Sequence, residues 1–151
     1  MEKQPRKSRA SERRRARRKA VQALYQLHYN PVDAEALETQ FMQEPDMLKA
    51  DIAYFRKLVR GVEAHRKELD DVVAPQLSRP LDEVDPVELA ILRLAAFELR
   101  FNLDVPYRVV INEAVELAKK FGAEDGHKFV NGALDRMAAE LREVEVKAKR
   151  R

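Results

Sequence analysis

Cysteine and tryptophan are absent from this chain of 151 residues, and only four glycines occur in it. Without cysteine there is no disulfide scaffold, no thiolate nucleophile and no sulfur-ligated metal site. So few glycines leave little of the turn material that a sandwich of many short strands consumes. Three scattered histidines, His28, His65 and His127, do not build an imidazole metal site, which leaves carboxylate-only coordination as the remaining metal chemistry. No stretch approaches the roughly 18 uninterrupted apolar residues of a spanning helix, and the basic N-terminus is not followed by the apolar core of a signal peptide. The expectation is a cytoplasmic protein with no membrane partner. What is present is 45% hydrophobic and 36% charged residues, dominated by good helix formers. That composition predicts one helical domain, long enough to bury a core of its own.

The net charge of +3 conceals a strong asymmetry. Residues 1–19 hold ten bases against two acids, a local charge of +8. Residues 20–143 hold 15 bases against 23 acids, or −8, and residues 144–151 return to +3 with four bases and one acid. A basic arm and a shorter basic tail on an acidic body form an electrostatic footprint for a polyanion, although many charge runs are no more than solvated tails.

Apolar periodicity predicts an all-α fold of six or seven helices. The first runs from Ser11 to Asn30-Pro31, with Ala20, Leu24 and Leu27 on its inner stripe. A second spans about Asp33 to Gln43. The run from Leu48 to about Leu77 reads as helix almost throughout, with Gly61 as its bend or break. Asp85, Pro86 and Glu88 form an N-cap, first-turn proline and capping-box sequence that opens a nearly all-apolar central helix to Phe101. Another helix covers Tyr107 to Phe121 with Gly122 as a left-handed cap, and the last starts near Glu124 or Asp125 and passes Leu141. Prolines around residue 80 divide this domain, 13–142, into two halves, flanked by a flexible arm over 1–12 and a basic tail over 143–151.

On the first helix, Arg15, Arg18, Gln22 and Tyr25 follow one another at spacings of three and four, on a stripe turned away from the core. Guanidinium forks suit phosphate oxygens, and an exposed aromatic ring stacks on an unpaired base, so the stripe fits single-stranded RNA better than duplex. The plainer reading of Tyr25 is a half-buried residue at the core edge. Lys128 and Phe129 repeat the basic-aromatic pairing beside Asp125, which is read chiefly as a helix cap. Asn112-Glu113 is expected to be a buried hydrogen-bonding pair, Asn131-Gly132 a close helix contact, and His127 a structural or incidental residue. Nothing resembles a nucleophile site, a phosphate loop or a cofactor cradle, so neither an enzymatic reaction nor a cofactor is expected.

Two long stretches carry a family resemblance. One runs from Arg15-Ala16-Arg17 through Ala20-Val21-Gln22-Ala23-Leu24-Tyr25. The other runs from Asp104-Val105-Pro106-Tyr107 through Ile111-Asn112-Glu113-Ala114-Val115-Glu116-Leu117-Ala118-Lys119 and Phe121-Gly122-Ala123-Glu124-Asp125 to His127-Lys128-Phe129-Val130-Asn131-Gly132-Ala133-Leu134-Asp135. With Tyr54-Phe55-Arg56 and Gly61-Val62 between them, the chain from about Arg13 to Met137 closely resembles the NusB family of bacterial transcription antitermination factors. The resemblance implies two packed helical bundles and no enzymatic activity. It implies binding of the single-stranded boxA element of nascent ribosomal RNA together with NusE, a small-subunit ribosomal protein, in an elongation complex with other Nus factors. Carried over by position, the RNA contacts are Arg13, Arg14, Arg15, Arg17 and Tyr25, then Asp125, Lys128 and Phe129. Arg18 adds to that basic set, and Glu88 is the position expected to meet NusE. Gly126 stands where relatives often carry a small polar residue. Two other readings belong to this resemblance. A NusB-like domain also precedes certain ribosomal RNA methyltransferases, whose glycine-rich cofactor domain has no counterpart among four glycines without a G-x-G-x-x-G pattern. The other reading is a helical homodimer with a passive arm.

Overall fold

The computed structural model describes residues 6–149, and the side-chain surroundings of 9–148. Among these residues there are eight α-helices, three short 3-10 turns and no strand, in two compact units that divide between Ala64 and His65.

The first unit contains α1 (Arg6–Tyr29), α2 (Ala34–Met42), a 3-10 turn at Pro45–Lys49 and α3 (Ile52–Ala64). Arginine, lysine, alanine and glutamate all favour helix, and α1 accordingly starts earlier than Ser11. The expected flexible arm over 1–12 is therefore helical from Arg6, and residues 1–5 lie outside the described residues. The predicted stripe of Ala20, Leu24 and Leu27 is buried, together with Ala16 and Ala23. Helix α1 packs on α3, which supplies Phe55, Leu58, Val59 and Val62 to the core. Asp33 caps α2 by accepting from the Ala36 amide at 2.8 Å. Leu37 and Phe41 of α2 are buried, with the Phe41 ring 5.7 Å from that of Phe55. Each large side chain of this core contributes roughly 1.5–3 kcal/mol by leaving water. The buried carboxylate of Glu38 is compensated by the Arg60 fork, whose two N–H groups donate at 2.6 and 2.7 Å.

The second unit holds α4 (Arg66–Val73), α5 (Pro86–Phe101), α6 (Tyr107–Phe121), α7 (Gly126–Leu141) and α8 (Glu143–Lys149). The continuous helix expected over residues 48–77 is interrupted, though not at Gly61, which lies inside α3. Its break falls at His65, whose backbone leaves helical geometry (φ −112°, ψ 21°). Beyond it Leu69 and Val73 of α4 pack with α5, and Arg93 forks onto Asp70 at 2.7 and 3.1 Å. These α4–α5 ties place the division of the chain near residue 64 rather than near 80. Helix α5 is central, as its sequence requires, with α4, α6 and α7 all packed against it. Asp85 accepts from the Val87 and Glu88 amides at 2.9 and 3.3 Å, making the first half of the expected capping box.

At the other end of α5 stands a residue that no local pattern marks. Arg142 is buried in the turn between α7 and α8, and it donates to the carbonyls of Leu99 (2.6 Å), Glu98 (3.1 Å), Asn102 (3.0 Å) and Val105 (3.0 Å). A helix C-terminus leaves its last carbonyls without partners and carries partial negative charge, so a guanidinium satisfies both demands. Glu145 of α8 accepts from Arg142 at 3.0 Å and from the Tyr107 amide at the start of α6 at 3.2 Å. This anchoring ends α7 at Leu141 and makes α8 a separate helix, bringing the described helices to eight where six or seven were expected. The expected C-terminal tail is thus partly built into the fold, with Val146 buried.

Gly122 is not left-handed. Its backbone is extended (φ −85°, ψ 177°), and the left-handed residue is Asp125 (φ 65°), three positions later at the start of α7.

Candidate nucleic-acid interface

The expected RNA-binding residues fall in both units. In the first, α1 sorts its bases into two groups. Arg13 lies 4.4 Å over the Tyr54 ring and 3.9 Å from the Asp51 carboxylate. Arg17 also covers Tyr54, at 5.4 Å, and is only 3% exposed, so the structure places this expected surface residue in the α1–α3 packing. Cation–ring stacking of this kind holds a guanidinium against an aromatic face. Lys19 is likewise engaged, with its ammonium 2.7 Å from Glu44 and 3.0 Å from Asp46. Burial works to lower its pKa, but hydrogen bonds to the two carboxylates outweigh burial and hold it above its ordinary value. Asp46 is held below its ordinary value, first by the hydrogen bond from Lys19.

Arg14 is exposed, and Arg15 and Arg18 are half-buried. The Nε atoms of Arg15 and Arg18 are shielded from solvent and have no acceptor among the described residues. Two turns on, Tyr25 is 38% exposed and Tyr29 64% exposed. Their rings meet edge to face with centroids 5.2 Å apart, and His28 stands edge-on to Tyr29 at 4.9 Å. Tyr25 is therefore not sealed into the core edge. Tyr29 and His28 were not among the expected contacts, although the spacing of Tyr25 and Tyr29 by one helical turn is the signal that puts both rings on one face.

In the second unit the turn between α6 and α7 organises the other candidates. Asp125 occupies the N-cap position of α7, but its carboxylate makes no cap hydrogen bond. It lies 3.4 Å from the Lys128 ammonium, and both are largely exposed. The expected capping role is therefore corrected, since left-handed backbone geometry turns the carboxylate toward Lys128. Phe129 is half-buried, with the Arg79 guanidinium 5.4 Å over its ring. Arg79 was not expected here because nothing in its local sequence links it to Phe129, 50 positions away.

Glu88 is 3% exposed, so the residue expected to face a partner is turned inward. Its carboxylate accepts from the Ala123 amide at 3.4 Å, which is why it does not complete the capping box. A Cβ on Gly126 would come within 2.9 Å of that same carboxylate, so glycine there lets Glu88 sit against the first turn of α7. Negative charge at a helix N-terminus is stabilising. The cleft around it is acidic, with Glu83, Asp85, Glu124 and Asp125 beside the single base Arg79.

Two further expectations are corrected. Asn112 is exposed, and Glu113 is only half-buried, so they are not a pair sealed in the core. Asn131 is exposed too, and Gly132 makes no close helix contact, since a Cβ there would approach only the Arg136 side chain at 3.4 Å. Among the described residues no three His, Asp or Glu side chains gather as a metal site requires, and no helix is long and apolar enough to cross a membrane.

Comparison with known proteins agrees with this architecture. The model of the NusB family matches residues 14–139. The transcription antitermination protein NusB of Shewanella halifaxensis is 57% identical over 132 residues, which span 87% of this chain and 98% of that protein. A solved structure of T. maritima NusB superposes with a TM-score of 0.76 at 34% identity, covering 92% of this chain and 94% of that one. A chain from a crystal structure of antitermination factors NusB and NusE in complex with double-stranded RNA gives 0.68 at 29% identity, covering 88% and 97%. A helical core, a basic first helix and a family match over most of the length converge, and the chain belongs to the NusB family of transcription antitermination proteins.

Proposed function

We propose that this protein binds single-stranded boxA RNA of nascent ribosomal RNA transcripts together with NusE, and so helps RNA polymerase resist termination as a cytoplasmic member of an elongation complex with other Nus factors. The observation that carries this reading is the pair of exposed rings, Tyr25 and Tyr29, on the same helix as exposed Arg14 and half-buried Arg15 and Arg18. Phosphates go to arginines and unpaired bases to rings, which duplex RNA, with its bases stacked internally, does not offer. Arg13, Arg14 and Arg17 add positive potential to the same helix. Asp125, Lys128 and Phe129 supply a second contact in the other unit, where Asp125 accepts from a base amino group and does not meet phosphate. Glu88 acts toward NusE by holding the α6–α7 turn, while exposed Glu83 and Glu124 present negative charge to a partner rich in bases.

The test is binding of boxA RNA, a scrambled RNA of equal length and an RNA duplex, with and without NusE, at two salt concentrations. Preference for single-stranded boxA that grows with NusE supports the reading. Equal, steeply salt-dependent binding to all three reduces the surface to a generic polyanion site. Sizing the free protein beside its NusE complex separates a monomer from a homodimer that NusE disperses.

A further inference from the structure

Between α6 and α7 lies a cleft of about 370 Å³, lined by none of the residues assigned above to RNA or to NusE. Its floor is apolar and buried, made of Tyr107, Ile111 and Val146. Its rim carries Arg108 and Asn112 from successive turns of α6, facing Asn131 and Asp135 from successive turns of α7. Asn112, Asn131 and Asp135 make no side-chain hydrogen bond or ion pair to any described residue, and Arg108 is held only by Tyr107, to whose hydroxyl its Nε donates at 3.3 Å. Three polar side chains with no partner among the described residues and a guanidinium thus line a cleft that is more polar than apolar, with an apolar floor beneath them.

The charges on the rim cancel. A carboxylate in the lining disfavours phosphate, and a guanidinium disfavours a cation, so the site suits a neutral planar group with both donors and acceptors. Lys128, Asn131 and Asp135 follow at spacings of three and four, one stripe of α7 that leads from the proposed RNA contact at Lys128 into the cleft. We infer that the cleft receives one unstacked base of the bound RNA and that the base is guanine. Guanine alone presents two adjacent N–H donors, N1 and N2, for the Asp135 carboxylate, with O6 and N7 as acceptors for a guanidinium such as Arg108. Uracil turns carbonyls toward a carboxylate, and adenine and cytosine turn a ring-nitrogen lone pair toward it. The carboxamides of Asn112 and Asn131 serve the remaining edge and the ribose hydroxyls.

This inference rests on the RNA-binding reading, and the test keeps the two apart. Short RNAs of equal length, made of repeating UUG, repeating UUA or uridine alone, are titrated against the full chain with and without NusE. The UUG repeat is expected to bind about tenfold tighter than the others, the scale of one good bidentate base contact. Asp135→Ala, at an exposed helix position, should remove that preference while leaving affinity for uridine RNA unchanged. Tyr25→Ala should weaken all three and keep the preference. Equal binding of the three RNAs by the wild-type chain, or a guanine preference that survives Asp135→Ala or is lost with Tyr25→Ala, overturns the guanine site and leaves RNA binding intact. Failure to bind any of them overturns the guanine site, whereas the RNA-binding reading falls only if boxA RNA itself is not bound.

Discussion

Single side chains of α1 divide by what they touch. Arg13 and Arg17 lie against the Tyr54 ring, Arg15 and Arg18 are half-buried with their Nε atoms shielded from solvent, and Tyr25 and Tyr29 keep their rings at the surface. Replacing Tyr25 with alanine is expected to weaken boxA binding by about 1–3 kcal/mol, the value of one stacked base, with the melting temperature nearly unchanged. Arg15→Ala should weaken every single-stranded RNA alike and flatten the plot of log K against log salt by about 0.7 for each phosphate it no longer neutralises. Titration at several salt concentrations measures both, and equal slopes for wild type and Arg15→Ala would remove the phosphate role. A helical repeat places Arg15, Arg18, Gln22 and Tyr25 on one stripe, so that part of the site was legible in the sequence. The burial of Arg17 was not, because it depends on Tyr54, which a residue-by-residue reading of α1 does not include.

Helices, in turn, are held by groups that close their ends and tie them to neighbours. Lys19 joins α1 to the 3-10 turn through Glu44 and Asp46. Because Asp46 is held below its ordinary value of 3.8 in the folded protein, its contribution to stability is complete above that value and is lost as pH falls through the lower folded one. Thermal melts of wild type and Asp46→Asn should therefore differ at neutral pH and converge in acid; a constant gap at all pH values would show that Asp46 acts by packing. Arg142 is the stronger case. Arg142→Ala removes the buried guanidinium that donates to four carbonyls and to the Glu145 carboxylate, and a loss of about 3–5 kcal/mol is expected by chemical denaturation. Arg142→Lys should recover little, since an ammonium lacks the planar fork that reaches several acceptors at once. The Asp85 cap and the central place of α5 could be read directly, because cap, proline and apolar run are local. The end of α5 could not, since its cap comes from 40 residues further along the chain.

Charge is the property of the whole molecule, and under the proposed function it governs how RNA arrives more than where it sits. A +8 segment followed by a −8 body draws a polyanion to one end and discourages its spread over the rest. Removing residues 1–10, which hold four bases and one acid, should lower affinity for boxA and scrambled RNA by the same factor and leave their ratio unchanged. A change in that ratio would assign sequence recognition to the arm. What the sequence by itself determined is the helical class, most helix starts, the arginine–tyrosine stripe and the family, because periodicity, caps and long shared words are all local along the chain. What only the tertiary structure decided is which of those groups remain available. Arg17 and Glu88 are consumed by packing, Arg79 meets Phe129, Arg142 closes α5, and Asn112 and Asn131 open onto a cleft with Asp135. Availability depends on neighbours brought in from distant positions, and no local pattern encodes them.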